Sequence, residues 1–312
     1  MLMAIQPNLI ERTVFEAVRA DAMLRAHYER QFAACHEQRD PARRDQAFNE
    51  LHERWFNELG LRRLILSLVD ECAAFRDKVA RLMVTQAHQP RAQTAELFGR
   101  PGSHTVVIAV AASTLLDRSA FEYWARHEFL HIDDMLDPAF GHHIADRPCG
   151  VTAAARNLSQ DRYAVLWAIS VDARLEQRGH APPDIRQTRR DEFLRAFSLQ
   201  DSRTIQETFD NLWQSWMTTR PSHHTLLDWA EHGPPRFGMT STEAIASPAP
   251  MPGASCALCG FPTFSWAGRE ELHQTLQAAI VADFPHWNPA HPICSRCLEI
   301  YQSRCGSNRI HA

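Results

Sequence analysis

Two groups of residues in this 312-residue chain have types and spacings that could do chemistry. The first is "RHEFLH", in which His127, Glu128 and His131 read H-E-x-x-H. Residues four apart on an α-helix share a face, so both imidazoles can address one ion while Glu128 stands beside them. Neutral imidazole suits zinc, and a zinc ion with an open position lowers the pKa of a bound water towards neutrality. A carboxylate next to that water can take its proton and pass it to a leaving amine, which is general-base work in peptide hydrolysis. The second group lies near the other end, where "CALCG" and "HPICSRC" carry Cys256, Cys259, Cys294 and Cys297 as two C-x-x-C pairs. One such pair can take two corners of a tetrahedron, and the second completes a structural zinc site. Redox chemistry is the lesser reading, because neither pair follows a strand inside a βαβ pattern.

The elements that must position these groups follow from apolar periodicity. Residues 8 to about 98 read as helical, with Phe48, Leu51, Trp55, Phe56 and Leu59 at helical spacing. A second run passes through Leu64, Leu68, Cys72, Phe75 and Val79. "HTVVIAVAAS", starting at His104, is short and β-branched and predicts a buried strand. Ser119 with Glu122 three residues on predicts a capped helix to about Leu136, ended by Pro138. The histidine motif therefore falls on a helix that follows a strand. "SQDRYAVLWAISVDARLEQRG" predicts another helix, stopped at Gly179, and residues 184–232 read as further helices. The stretch over 233–253 is rich in Pro, Gly, Ser and Ala and reads as a linker. The expected organisation is a helical region over 1–100, a domain over 101–232 with the histidine motif, the linker, and a cysteine module over 254–312.

Composition narrows the partners. The net charge of −4 removes any general attraction to nucleic acid or acidic membranes. Between 254 and 312 four arginines face four acids, so the module lacks the basic footprint of a nucleic-acid binder. No run of 18 apolar residues is present, so no membrane span is expected. The first residues lack a basic stretch ahead of a long apolar core, which argues against a secretory signal. Four of the eight cysteines sit in the paired knuckles, a pattern for metal in a reducing compartment, and the cytoplasm is the expected location. Cys305 is close enough to substitute as a ligand, whereas Cys35, Cys72 and Cys149 read as isolated thiols.

A strand followed by an H-E-x-x-H helix resembles the zincin superfamily of zinc metallopeptidases. That resemblance implies a third protein ligand. Asp137 has the metzincin spacing, but Asp134 stands where that pattern has the glycine needed for a sharp turn. Gluzincins carry E-x-x-x-D on a second helix, and "DARLEQRG" supplies Asp172 and Glu176 at that spacing with the two acids exchanged. The resemblance so implies Asp172 or Glu176 as the third ligand. Spacing adds to this: Val165, Ala168, Ile169, Asp172 and Glu176 form one stripe, and a buried carboxylate needs a metal or a cation. An ion pair with Arg174, Arg178 or another arginine is the alternative for these acids. The knuckle, hairpin and second knuckle opening a helix, over roughly 254–306, resemble a treble-clef zinc finger.

The resulting expectation is a mainly α protein with a small β-sheet, an α+β zincin-like domain joined to a small zinc-finger module. Its implied function is that of a zinc metallopeptidase with one catalytic and one structural zinc, acting on a peptide or protein substrate. The alternative is a non-catalytic, metal-stabilised scaffold or regulatory protein whose C-terminal module recruits a protein partner.

Overall fold

Helical spacing on one segment shows how the first part of the chain is built. Phe121, Ala125, Phe129, Ile132 and Leu136 all lie on one stripe of helix Arg118–Leu136 and are all buried in a single apolar cluster. A computed structural model describes residues 1–100, 102–143, 146, 153–197, 202–233, 253–268, 271–285, 287–289 and 291–307. By internal contacts the chain divides into two compact units, Met1–His142 with Leu175–Pro182, and His143–Arg174 with Pro183–Ala312. The architecture is mainly helical with a small mixed sheet, as composition and periodicity lead one to expect.

The first unit runs β1 (Leu2–Ile5), α1 (Pro7–Ala20), α2 (Ala22–His36), α3 (Pro41–Glu58), α4 (Leu61–Asp70) and α5 (Ala73–Lys78). It continues through β2 (Val79–Gln86), β3 (Thr94–Phe98), β4 (His104–Val110), α6 (Ala112–Leu116) and α7 (Arg118–Leu136). The sheet order is β1-β2-β4-β3, with β1, β2 and β4 parallel and β3 antiparallel to β4. Alternation along the pleat sends Val106, Ile108 and Val110 into the core beside Leu82 and Val84. Burying each of these side chains contributes about 1.5–3 kcal/mol. Helix α7 is held to the end of α4 by Arg126, which donates to both oxygens of Glu71 at 2.7 and 2.9 Å. Phe129 meets Phe75 at 4.8 Å between ring centroids.

Two local expectations change. The region over 8–98 is not helical throughout, since β2 and β3 lie inside it. Val79, Leu82 and Val84 are buried with exposed residues between them, a half-buried strand pattern that begins at Val79, the last residue of the expected helical run. The cap of α7 is Asp117, whose carboxylate accepts the Ala120 N–H at 3.1 Å, while the Ser119 hydroxyl donates to it at 2.9 Å. An aspartate beside the expected serine simply starts the same helix earlier.

The second unit holds most of α8 (Ala153–Gln177), then α9 (Ile185–Ala196), α10 (Ser202–Thr218) and α11 (His223–His232). Phe193, Phe197, Phe209, Leu212 and Trp213 are buried there. Helix α8 stops as expected at Gly179, whose φ of 73° admits the left-handed turn. His180 N–H closes that turn on Leu175 O at 2.9 Å. The unit ends in β5 (Ala254–Ser255), β6 (Pro262–Thr263), α12 (Gln274–Asp283) and α13 (Ser295–Ser307). The linker expected over 233–253 falls almost wholly outside the described residues, as does Cys149. Among the described residues no helix is long and apolar enough to cross a membrane.

The helical face built by α1, α2 and α3 encloses a titratable pair. His52 is buried, its Nε2 lies 2.8 Å from the Tyr28 hydroxyl, and Phe15 packs on its ring at 5.4 Å. Burial holds the His52 imidazole below its usual pKa, partly opposed by Glu11. A base with a depressed folded pKa stabilises the fold above its unfolded pKa of about 6.5 and loses that contribution as pH falls below it. The unfolding temperature is therefore expected to fall from about pH 6.5 downwards. His52→Gln should flatten that dependence; an unchanged acid slope in the variant would contradict the assignment.

Candidate metal centre

Among the described residues, one set of His, Cys, Asp or Glu side chains brings three or more ligand atoms together. It is Cys256, Cys259, Cys294 and Cys297, whose sulfurs all lie within 4.8 Å of one another. The Sγ–Sγ distances are 3.8 Å for Cys256–Cys297 and 4.0 Å for Cys259–Cys294. A tetrahedron with zinc–sulfur bonds of about 2.3 Å has edges of about 3.8 Å, so the sulfurs stand where a zinc-sized ion needs them. The donor chemistry and the spacing both fit such an ion.

Local backbone geometry puts them there. The first knuckle follows β5; Cys256 N–H donates to Phe261 O at 2.9 Å, and Gly260 N–H returns to Cys256 O at 2.9 Å. Gly260 adopts a φ of 71°, which lets the loop reverse without a Cβ penalty. The second knuckle opens α13 and is tied to the segment after β6 by Ala267 N–H to Ile293 O at 3.0 Å and Ser295 N–H to Ser265 O at 3.1 Å. A small core of Leu272, Leu276, Ile280, Ile293, Leu298 and Tyr301 lies behind the sulfurs. Cys305 packs against that core and does not join the four-sulfur set.

Backbone amides tune the sulfurs. Leu258 N–H and Cys294 N–H point at the Cys256 sulfur at 3.4 and 3.3 Å, and Cys297 N–H points at the Cys294 sulfur at 3.4 Å. Burial pushes the Cys256 thiol up, but amides of Cys259, Cys294 and Leu258 outweigh it and bring the pKa down to about 7. Burial and the neighbouring sulfurs push Cys297 well above its usual range, and burial also raises Cys294. One sulfur is ready to be a thiolate, and each further thiolate needs a cation among them. The amide donors were not legible in the sequence, although the glycine after "CALC" signals the tight turn that aims them.

The peptidase expectation is overturned at this point. His127 is buried on α7, His131 and Glu128 are half-buried, and the two imidazole Nε2 atoms lie 3.1 Å apart with rings edge to face at 4.7 Å. Among the described residues no third ligand joins these histidines in a metal-competent set, which removes the basis for a catalytic zinc and for a water activated by Glu128. A zinc hydrolase needs three protein ligands and an open position. The enzyme reading, the H-E-x-x-H zincin assignment and the second, catalytic zinc are therefore withdrawn. Asp172 is fully buried, as its stripe predicts, and Arg189 Nε donates to its Oδ2 at 2.6 Å. Arg189 also pairs with Glu192; burial alone would lower its pKa, yet the two acids hold it above the usual value. An arginine from α9 thus partners the buried acid. Glu176, half-buried, has its backbone oxygen accepting Gly179 N–H at 2.9 Å, within the stop of α8.

Comparison with protein families, with curated proteins and with solved structures finds no match. The residues themselves therefore have to be tested. Asp172→Asn is expected to cost about 3 kcal/mol in denaturant unfolding, because it breaks a buried charge pair and leaves Arg189 with Glu192 alone, and to leave zinc content unchanged. Loss of zinc with unchanged stability would reverse that assignment. Cys297→Ser should weaken zinc binding by more than about tenfold in a chelator competition; equal affinity would show that the ion is held elsewhere.

Proposed function

We propose that the chain is a non-catalytic protein whose C-terminal module, folded around one zinc ion, docks a protein partner. The observation that carries this reading is the four-cysteine cluster, the one metal-competent set among the described residues. The zinc would be held by Cys256, Cys259, Cys294 and Cys297 and would supply folding energy to a module with little core of its own. In this reading residues 1–232 are the scaffold, 233–253 a linker, and 254–312 the docking module. A centre of four reduced cysteines suits the cytoplasm.

The surface of the module supports a protein partner. Phe261 and Phe264 are each 73 % exposed, beside the first knuckle and its hairpin, and aromatic side chains are enriched where proteins meet. The balance of four arginines and four acids offers no footprint for nucleic acid.

A mixed peptide library incubated with the zinc-loaded chain is expected to be recovered intact by mass spectrometry. Cleavage that vanished in Glu128→Gln would contradict the reading. Chelation is expected to raise amide hydrogen exchange across 253–307 by orders of magnitude while β4 and α7 keep their protection. Equal protection of the module with and without chelator would remove the structural role of the metal.

A further inference from the structure

The cysteine module has a second concave feature beside its metal centre. A cavity of about 240 Å³ is lined by Ala257, Asp283, Phe284, Pro285, Trp287 and His291. It is smaller than the roughly 300 Å³ from which pockets for drug-sized ligands begin, and so suits a single side chain. Its walls are pinned. Trp287 N–H donates to Phe284 O at 2.9 Å, the Trp287 indole N–H to His291 O at 3.0 Å, and His291 N–H to Asn288 O at 2.9 Å. Ala257, inside the first knuckle, donates its N–H to Pro292 O at 3.2 Å and joins the cavity to the cysteines. A preformed wall lowers the ordering cost of binding.

The lining offers a carboxylate, two aromatic rings and a helix end, groups that attract a cation. Helix α12 ends here, and the carbonyls of a helix C-terminus carry partial negative charge. Its last turn has no basic residue to offset that charge and instead carries Asp283. Asp283 Oδ2 accepts from the Arg304 guanidinium and from the Tyr301 hydroxyl, the latter at 2.7 Å. Those two donors, Arg304 first, hold the carboxyl below its usual range. Among the described residues nothing donates to Oδ1. Phe284, 38 % exposed, and Trp287 both line the wall, and aromatic faces attract cations through their quadrupole. Resting on the docking role given above, we propose that this cavity receives the lysine or arginine side chain of a partner protein.

The test uses the full zinc-loaded chain and small probes: Nα-acetyl-lysine methylamide, its arginine counterpart, and the norleucine counterpart, which matches lysine without the charge. Nuclear magnetic resonance follows the Trp287 indole N–H, assigned by its loss in Trp287→Phe, with zinc content measured on the same sample. Saturable shifts are expected with the lysine and arginine probes and not with norleucine. Phe284→Ala should weaken them by roughly three- to fivefold. Asp283→Asn should weaken them at least as much, and the phenylalanine variant, which leaves the Tyr301 and Arg304 contacts alone, guards against misfolding of the aspartate one. Absence of a saturable shift, or an equal shift with norleucine, in a sample holding one zinc per chain overturns the cation pocket and leaves the zinc module standing. A chain whose cysteines take up no zinc overturns both.

Discussion

Four cysteine sulfurs within 4.8 Å of one another are the constraint on which the C-terminal module depends. Thiolates so close repel strongly, and four neutral thiols would have little reason to converge through two separate knuckles. A divalent ion would resolve the conflict, and amide donors to Cys256 and Cys294 suit the cluster to it. The apolar cluster behind the sulfurs, from Leu272 to Tyr301, is too small to order the module by itself. A metal held by the cysteines and this core would form one folding unit.

Elsewhere in the chain a buried charge is balanced by an organic cation. Asp172 sits on an apolar stripe of α8 with no exposure, and a carboxylate there must find positive charge. Arg189 supplies it and is itself shared with Glu192. The physical demand that makes Asp172 resemble a metal ligand is met by a guanidinium, whose planar fork suits buried carboxylates. In a chain whose single lysine is Lys78, arginine is the cation at hand for such pairing.

What was legible in the sequence was local. The strand from His104, the helix that carries the histidine motif and the glycine stop of α8 each follow from signals within one element, and the structure has all three. The knuckles were legible for the same reason, since C-x-x-C is a short-range geometry, whereas helix α12, which lies between the two copies, had no such signal. The candidate peptidase site depended on a long-range partner for His127 and His131, and spacing along one helix cannot name what the fold brings near it. Phe129, inside the motif, packs on Phe75 and fixes one face of α7 into the core, which is the role the motif's apolar positions do serve. Val79 was drawn into a helical run because a three- or four-residue step cannot be told from the start of a strand at a boundary.

The central claim is that the metal of this protein belongs to the four cysteines and to them alone. Native mass spectrometry of the zinc-saturated chain tests it directly. One zinc per chain is expected, kept when His127 and His131 are both changed to alanine and lost when Cys256 and Cys297 are both changed to serine. Two zinc ions in the native chain, one of which disappears with the two histidines, would contradict the account.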